Sequence, residues 1–310
     1  MPNVSIKERH LQTERVVSQY FFSKTRGNCK FTRIYLSHST TDEMIFRNNE
    51  LRETLLNKGF SKIPRMDENS LAKLKELYSG TLASELKPGE TYWSMSGRNK
   101  ELAAEINKSV VEILLPYIQL YFGDVKPIVG TFMIKTAYAP DIHLHQDWTF
   151  VEHEPQENSY TCWIPLVDTH AGNGRLGFLP NSHNKYTAFR GSPSPPFGHL
   201  FPQDGSLEPQ MEYIDQQPGE GVVFNHRIIH ASEPNLTGVN RPAVGIIFTS
   251  VKNKLVHLFV KPGTDNSIAA KYEVDPAFYD KYSNIELLDI FMKGGKITDY
   301  KVIEEIPVTL

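Results

Sequence analysis

Val129-Gly-Thr-Phe-Met-Ile-Lys135 is where the periodicity of this chain changes, and that change decides the fold. β-Branched and aromatic residues take over here, in a pattern that sends successive side chains to opposite faces of a strand. Three later runs share the pattern: Ser159-Tyr-Thr-Cys-Trp-Ile-Pro-Leu166, Gly221-Val-Val-Phe224 and Ala243-Val-Gly-Ile-Ile-Phe-Thr249. Turn clusters at Gly172-Asn-Gly174, Gln217-Pro-Gly219 and Pro234-Asn-Leu-Thr-Gly238 separate them. Upstream the period is helical. From Thr41 onward Met44, Leu51, Leu55 and Leu56 recur at helix-compatible spacing, and Gly59 suits the stop. Asn69-Ser70 can cap a second helix that carries Leu71, Leu74, Leu77 and Tyr78. A third, from about Lys100 to Tyr121, presents Leu102, Ile106, Val110, Ile113, Leu114 and Tyr117 on one stripe. Pro116 is expected to bend it or split it. Before residue 40 the chain is polar and irregular, with Tyr20-Phe21-Phe22 and Phe31 as candidate anchors.

Helices followed by many strands with Gly/Pro-rich turns fit a mainly β, α+β architecture. The expected form is a double-stranded β-helix (a cupin-like jelly roll) buttressed by N-terminal and C-terminal helices. One domain is expected over residues 1–310, with a mainly helical part to 122 and a jelly-roll core over 123–260. A helical extension over 261–310 completes it, including a last helix from about Pro276 to Met292. Residues 184–210, with Ser192-Pro-Ser-Pro-Pro196, read as a long insertion of the kind used as a lid. With 310 residues and 40% apolar content the chain can bury a large core. A net charge of −3 gives no footprint for nucleic acid or an anionic membrane. No segment approaches the roughly 20 apolar residues that span a bilayer. The start of the chain lacks the apolar run of a secretory leader. Cys29 and Cys162 lack metal-like spacing and read as reduced thiols of a cytoplasmic protein.

The chemistry sits in His145-Gln146-Asp147 and in Gly221-Val-Val-Phe-Asn-His-Arg-Ile-Ile-His230. On an extended strand His145 and Asp147 leave one face and Gln146 the other. His143 shares the face of His145, and the shorter step to Asp147 favours His145. On the distal strand His226 and His230 are both available. Two imidazoles and a carboxylate on one face of an octahedral metal leave the opposite face open, an arrangement that suits non-haem Fe(II). Arg241 follows His230 by eleven residues and is a natural partner for a carboxylate cosubstrate. A lone histidine is more often a hydrogen-bonded structural group than a ligand. The ordered set of HxD, Trp163 on the next strand, a Gly-rich strand ending in histidine and then arginine rises above that background. A zinc hydrolase fits worse. His226-Arg-Ile-Ile-His230 has the outer spacing of a zincin helix, yet arginine stands where the glutamate base is needed.

Over about residues 130–250 these motifs resemble the phytanoyl-CoA dioxygenase family of Fe(II)- and 2-oxoglutarate-dependent oxygenases. The likeness rests on His145-Gln-Asp147, Cys162-Trp-Ile-Pro-Leu166, Gly174-Arg-Leu-Gly-Phe-Leu-Pro-Asn-Ser-His183, Gly219-Glu-Gly-Val-Val-Phe224, Ile229-His-Ala-Ser232, Asn235 and Arg241. Leu179-Pro-Asn-Ser-His183 stands where relatives usually carry Pro-Gly-Ser-His. The resemblance implies His145, Asp147 and His230 as iron ligands, with His226 left out, and 2-oxoglutarate and O2 as cosubstrates. It further implies Arg241 on the far carboxylate of 2-oxoglutarate, with Gln146 and Trp163 lining the same pocket. The implied reaction yields succinate and CO2 and hydroxylates an unactivated carbon. Desaturation, epoxidation or cyclisation would use the same ligands. Halogenation is disfavoured, because Asp147 fills the position that halogenases leave to chloride. No cosubstrate contact is carried over to Lys135 or Thr136, and an ordinary outward-pointing strand position is the alternative for either. The substrate is expected to be a small metabolite, an amino acid or a natural-product intermediate. Its candidate contacts are His143, Arg175, His183, Arg227 and the segment Thr91–Arg98. No basic cluster suggests recognition of the nucleotide of coenzyme A. The alternative of another class is a non-catalytic metal-binding jelly-roll protein.

Overall fold

The computed structural model of the protein describes residues 18–25, 28–35, 45–83, 86–97, 99–154, 157–194, 197 and 200–308. The chain divides into two compact units, residues 1–43 and 44–310. The first holds an antiparallel hairpin of β1 (Ser18–Thr25) and β2 (Asn28–Tyr35), paired from Ser18↔Tyr35 to Thr25↔Asn28. Paired strands therefore replace the irregular course expected there. The anchoring suggested for Tyr20, Phe21, Phe22 and Phe31 concerns side chains outside those described, as does Met44.

In the second unit the helical period is realised with shifted boundaries. Helix α1 (Asn49–Lys58) starts where the Asn48 side chain accepts from the Leu51 N–H, so it begins later than Thr41. It ends at Gly59, whose φ of 91° is left-handed and whose missing Cβ would lie 2.6 Å from His183 Nδ1. After β3 (Phe60–Ile63) comes α2 (Glu68–Thr81). Its cap is Asp67 rather than Asn69 or Ser70, accepting from the Ser70 N–H at 2.9 Å. An anionic cap also complements the positive end of the helix. After β4 (Thr91–Trp93), α3 (Lys100–Ile118) runs unbroken through Pro116. The proline lies in the last turn, where the helix ends before a kink could propagate.

The strands that follow are β5 (Val125–Lys135), β6 (Ile142–His145), β7 (Ser159–Pro165) and β8 (Leu176–Phe178). After short α4 (Ser182–Lys185) come β9 (Glu212–Ile214), β10 (Gly221–Asn225), β11 (His230–Ser232) and β12 (Arg241–Ser250). A six-stranded antiparallel sheet has the order β3-β10-β7-β12-β5-β4, and a four-stranded one the order β6-β11-β8-β9. This is the expected double-sheet jelly roll. Its inner core joins Phe60, Trp163, Val222, Phe224 and Ala243 of the large sheet to Leu176 and Phe178 of the small one. Alternate residues Phe132, Ile134, Cys162, Ile164, Val244 and Ile246 face outward and pack under Leu55, Leu74, Val110 and Leu114 of the helices. Burial on both faces explains why these strands read as nearly continuous apolar runs.

Three boundaries differ from the sequence reading. β3 and β4 belong to the large sheet, so the core begins well before residue 123. The last fifty residues are not a helical extension. β13 (Leu255–Val260), β14 (Ile268–Val274) and β15 (Lys301–Pro307) form a three-stranded sheet. The helix expected from Pro276 to Met292 is two, α5 (Ala277–Lys281) and α6 (Asn284–Met292), because Ser283 and Glu286 form a capping box that starts a new helix. The insertion over 184–210 is fastened rather than free. Phe201 and Leu207 pack with Leu144, Leu179 and Ile229, and Phe197 joins Val256 and Leu258. Among the described residues no helix is long and apolar enough to cross a membrane.

Candidate metal centre

β6 and β11 are neighbours in the small sheet, and their register sets His230 against His145. Just beyond β6 the Asp147 N–H donates to the His226 carbonyl at 3.1 Å, which turns the carboxylate toward the same point. His145, Asp147 and His230 thereby each offer a ligand atom, all within 4.8 Å of one another. His230 Nε2 lies 3.9 Å from Asp147 Oδ1. The histidines are held in one tautomer. His145 Nδ1 lies 2.9 Å from the His143 carbonyl, and His230 Nδ1 lies 3.1 Å from the Ile228 carbonyl. A carbonyl can only accept, so Nδ1 carries the proton and Nε2 keeps the lone pair that a metal requires. Burial pushes His230 down to about 4, which keeps it neutral, and pushes the Asp147 carboxyl up against the opposing pull of His145 and Arg190.

The other two candidate histidines are not part of this cluster. His143 is 87% exposed and pairs with Asp141 at 2.9 Å, away from the cluster. His226 is fully buried with Nδ1 2.6 Å from Ser159 Oγ and Nε2 2.8 Å from Thr161 Oγ1. Both of its nitrogens are engaged, although Nε2 approaches Asp147 Oδ2 to 4.0 Å.

A cavity of about 130 Å3 opens between the sheets, lined by the triad together with Trp163, Arg241 and Ser232. Arg241 is buried, its guanidinium 5.2 Å from the Trp163 ring centre, with Nη1 donating to the Met133 carbonyl at 3.2 Å. Its Nε has no partner, nor have two other buried groups on the wall, Ser232 Oγ and Thr91 Oγ1. Burial pushes Arg241 down to about 9. Lys135 stands directly opposite it across the β5–β12 pair and is fully buried, so the outward-pointing alternative does not apply to it. Lys135 Nζ donates to the Pro140 carbonyl, and burial and Arg241 push it down to about 8. Thr136 is likewise buried, its hydroxyl donating to the Glu90 carbonyl at 2.8 Å. Buried cations and donors without partners are costly, so this cluster is built for an anion. Two imidazoles, a carboxylate and an orphaned guanidinium nitrogen fit a divalent metal plus a chelating acid with a second carboxylate.

Other candidate residues are not brought to the cavity. Gln146 faces away, as the period of two demands, and its amide donates to the Tyr186 carbonyl at 2.8 Å and to that of Arg227. Arg175 is paired with Glu233 at 2.7 Å and Asp215 at 2.9 Å. Arg227 donates to Asn158 Oδ1 at 3.0 Å. His183 is buried and donates from Nε2 to the Leu56 carbonyl at 3.0 Å. Of the segment Thr91–Arg98, Thr91, Trp93 and Met95 line the cavity, and Arg98 lies outside the described residues. Ser232 was missed, although two residues after His230 is the same face of a strand.

Burial pushes His183 down to about 4 and His257, which meets Ser192 Oγ at 2.6 Å, down to about 3. Unfolded histidine titrates near 6.5, so between about pH 6.5 and 4 the unfolded chain binds protons that the folded chain refuses. Stability is therefore full above about pH 6.5 and falls on acidification, by about 3 kcal/mol for His183 alone. Melting curves at a series of pH values should show this drop, and His183→Gln should flatten it; an unchanged slope removes His183 as a cause.

Arg190 also escaped the sequence reading, because no local pattern marks it. Its Nε donates to the Asp147 carbonyl at 2.9 Å, and Nη1 meets Glu154 at 2.7 Å in a pair with side chains 6% and 2% exposed. It ties the insertion to the ligand loop. Arg190→Ala should cost about 10–100-fold in Fe(II) affinity, the usual range for a partner that orients a ligand. It should also cost about 3–5 kcal/mol of stability by stranding Glu154. Adding Glu154→Gln should restore stability but not affinity. Normal metal titration by folded Arg190→Ala would remove it from the ligand's support.

Residues 109–243 match the Phytanoyl-CoA dioxygenase (PhyH) family model. The 1-deoxypentalenic acid 11-beta-hydroxylase of Streptomyces exfoliatus is 28% identical over 30% of this chain and 35% of that protein. The ectoine dioxygenase of Nocardia farcinica (strain IFM 10152) is 25% identical over 38% and 44%. The chain thus spans less than half the length of these curated relatives. A crystal structure of EctD from S. alaskensis with 2-oxoglutarate and 5-hydroxyectoine is 14% identical, covering 67% of this chain and 78% of that one at a TM-score of 0.47. The span matched by the family model runs from within α3 into β12 and contains His145, Asp147, His230 and Arg241.

Proposed function

We propose that this protein is an Fe(II)- and 2-oxoglutarate-dependent dioxygenase that hydroxylates an unactivated carbon of a small metabolite. One observation carries the proposal: His145, Asp147 and His230 converge within 4.8 Å beside the partnerless Nε of a buried arginine. Bound iron would couple decarboxylation of 2-oxoglutarate by O2 to insertion of one oxygen atom into a C–H bond, with succinate and CO2 as coproducts.

The chain supplies position and environment. His145 and His230 present Nε2, and Asp147 adds a carboxylate whose presence disfavours chloride and hence halogenation. Arg241 takes the far carboxylate of 2-oxoglutarate, through a planar fork that lysine cannot copy. Trp163 packs against that guanidinium, and Ser232 offers a further donor. Apolar walls exclude water from the reacting atoms. Support also comes from the hydroxylase and dioxygenase among the relatives. The proposal includes a cytoplasmic setting, in keeping with the free, buried thiol of Cys162.

Anaerobic addition of Fe(II) and then 2-oxoglutarate should produce the weak visible charge-transfer band of the chelate. Iron binding without that band, and without succinate release over a panel of metabolites, would overturn the proposal.

A further inference from the structure

We infer that the substrate presents an uncharged, largely apolar carbon to this centre, with no carboxylate, phosphate or ammonium group at its reacting end. The inference rests on the function proposed above, because it assigns the triad to metal and Arg241 to 2-oxoglutarate. With those four engaged, the described residues lining the cavity hold no other ionisable group. The wall left for substrate is Trp93, Met95, Met133, Ile142 and Ile247, with a few hydroxyls. Most of those are spoken for. Thr131 Oγ1 lies 3.0 Å from Ser94 Oγ and accepts from the Met95 N–H at 3.2 Å, and Thr161 Oγ1 meets His226. Thr91 Oγ1 is buried without a partner. It suits one neutral hydroxyl or carbonyl of the substrate.

Among the described residues, several nearby charges already have partners. Arg175 faces Glu233 and Asp215, Arg190 faces Glu154, and Asp141 pairs with His143. An ion pressed against this wall would lose its hydration and gain no counter-charge. This narrows the expected substrates: an amino acid whose ammonium and carboxylate flank the reacting carbon does not suit the wall. The selection acts at the reacting end and not on remote parts of the molecule.

Three probes of one ring shape test this: cyclohexanol, cyclohexanecarboxylate and cyclohexylammonium. Each is titrated anaerobically into the full chain with Fe(II) and 2-oxoglutarate. Binding is read from the shift of the chelate band and from tryptophan fluorescence, since Trp93 and Trp163 line the cavity. Cyclohexanol should bind at least about 10-fold more tightly than either ion, as expected where an ion would be buried unpaired. Met95→Arg should shift the preference toward the carboxylate. Equal or tighter binding of either ion to the unaltered protein, or no binding of cyclohexanol up to its solubility limit, overturns the inference. Absence of the chelate band overturns the functional proposal instead. The wall is then still tested by fluorescence on metal-free Arg241→Gln, comparing cyclohexanol with cyclohexanecarboxylate. That variant lacks the cation that would otherwise capture the acid, so tighter binding of the carboxylate there counts against the inference.

Discussion

Asp147→Ala should lower Fe(II) affinity by more than about 100-fold, because groups that merely orient a ligand are already worth about 10–100-fold. Turnover should vanish with it. The loss is not a folding defect. Asp147 contributes its backbone N–H to the His226 carbonyl and its own carbonyl to Arg190, and alanine keeps both bonds. Its carboxyl is held in burial that pushes its pKa up, so in the metal-free chain alanine should be neutral or slightly stabilising. Isothermal titration with Fe(II) under anaerobic conditions, beside metal-free melting curves, separates the two effects. Undiminished affinity in a folded Asp147→Ala protein would remove the carboxylate from the centre.

Arg241→Gln should reduce 2-oxoglutarate affinity by roughly 30- to 4,000-fold, the equivalent of about 2–5 kcal/mol for truncating one side of a buried charge pair. Arg241→Lys should recover only part, since an ammonium gives one point charge where the carboxylate meets a fork. The same substitution should raise metal-free stability. Arg241 is a buried cation with one hydrogen bond, an unmet Nε and a second buried cation, Lys135, directly across the ladder. Removing it relieves that strain. Melting curves should therefore show a higher baseline for Arg241→Gln and no gain from 2-oxoglutarate, against a lower baseline and a clear gain in the unaltered protein. Equal gains in both would place the cosubstrate elsewhere.

What could be read in the sequence follows from how each residue is buried. β5, β7, β10 and β12 were legible because both of their faces are covered, leaving apolar runs bounded by turns. β8, β9 and β11 are three residues each, too short to establish a period. The C-terminal sheet was hidden by its charges: Lys301-Val-Ile-Glu-Glu-Ile-Pro307 exposes most of its residues and does not alternate cleanly. The pairing of His145 with Asp147 was legible because a period of two sets residues two apart on one face. Choosing His230 over His226 rested on the family resemblance alone, and Ser159 and Thr161 supply the physical reason. The burial of Lys135 was not legible because lysine is ordinarily solvated. Its burial opposite Arg241 follows from strand register, which no local pattern reveals. Arg190 could not be found, since it meets Glu154 across 36 positions through an irregular segment.

The register that sets His145 against His230 joins points 85 residues apart in the chain. An ion shared between them acts as a rivet across that long loop, and it binds the folded chain in preference to the unfolded one. At a free concentration one hundred times its dissociation constant such an ion adds about 2.7 kcal/mol of stability. The lifetime of this protein in a cell would then track iron supply, with copies made during iron starvation the first to be cleared.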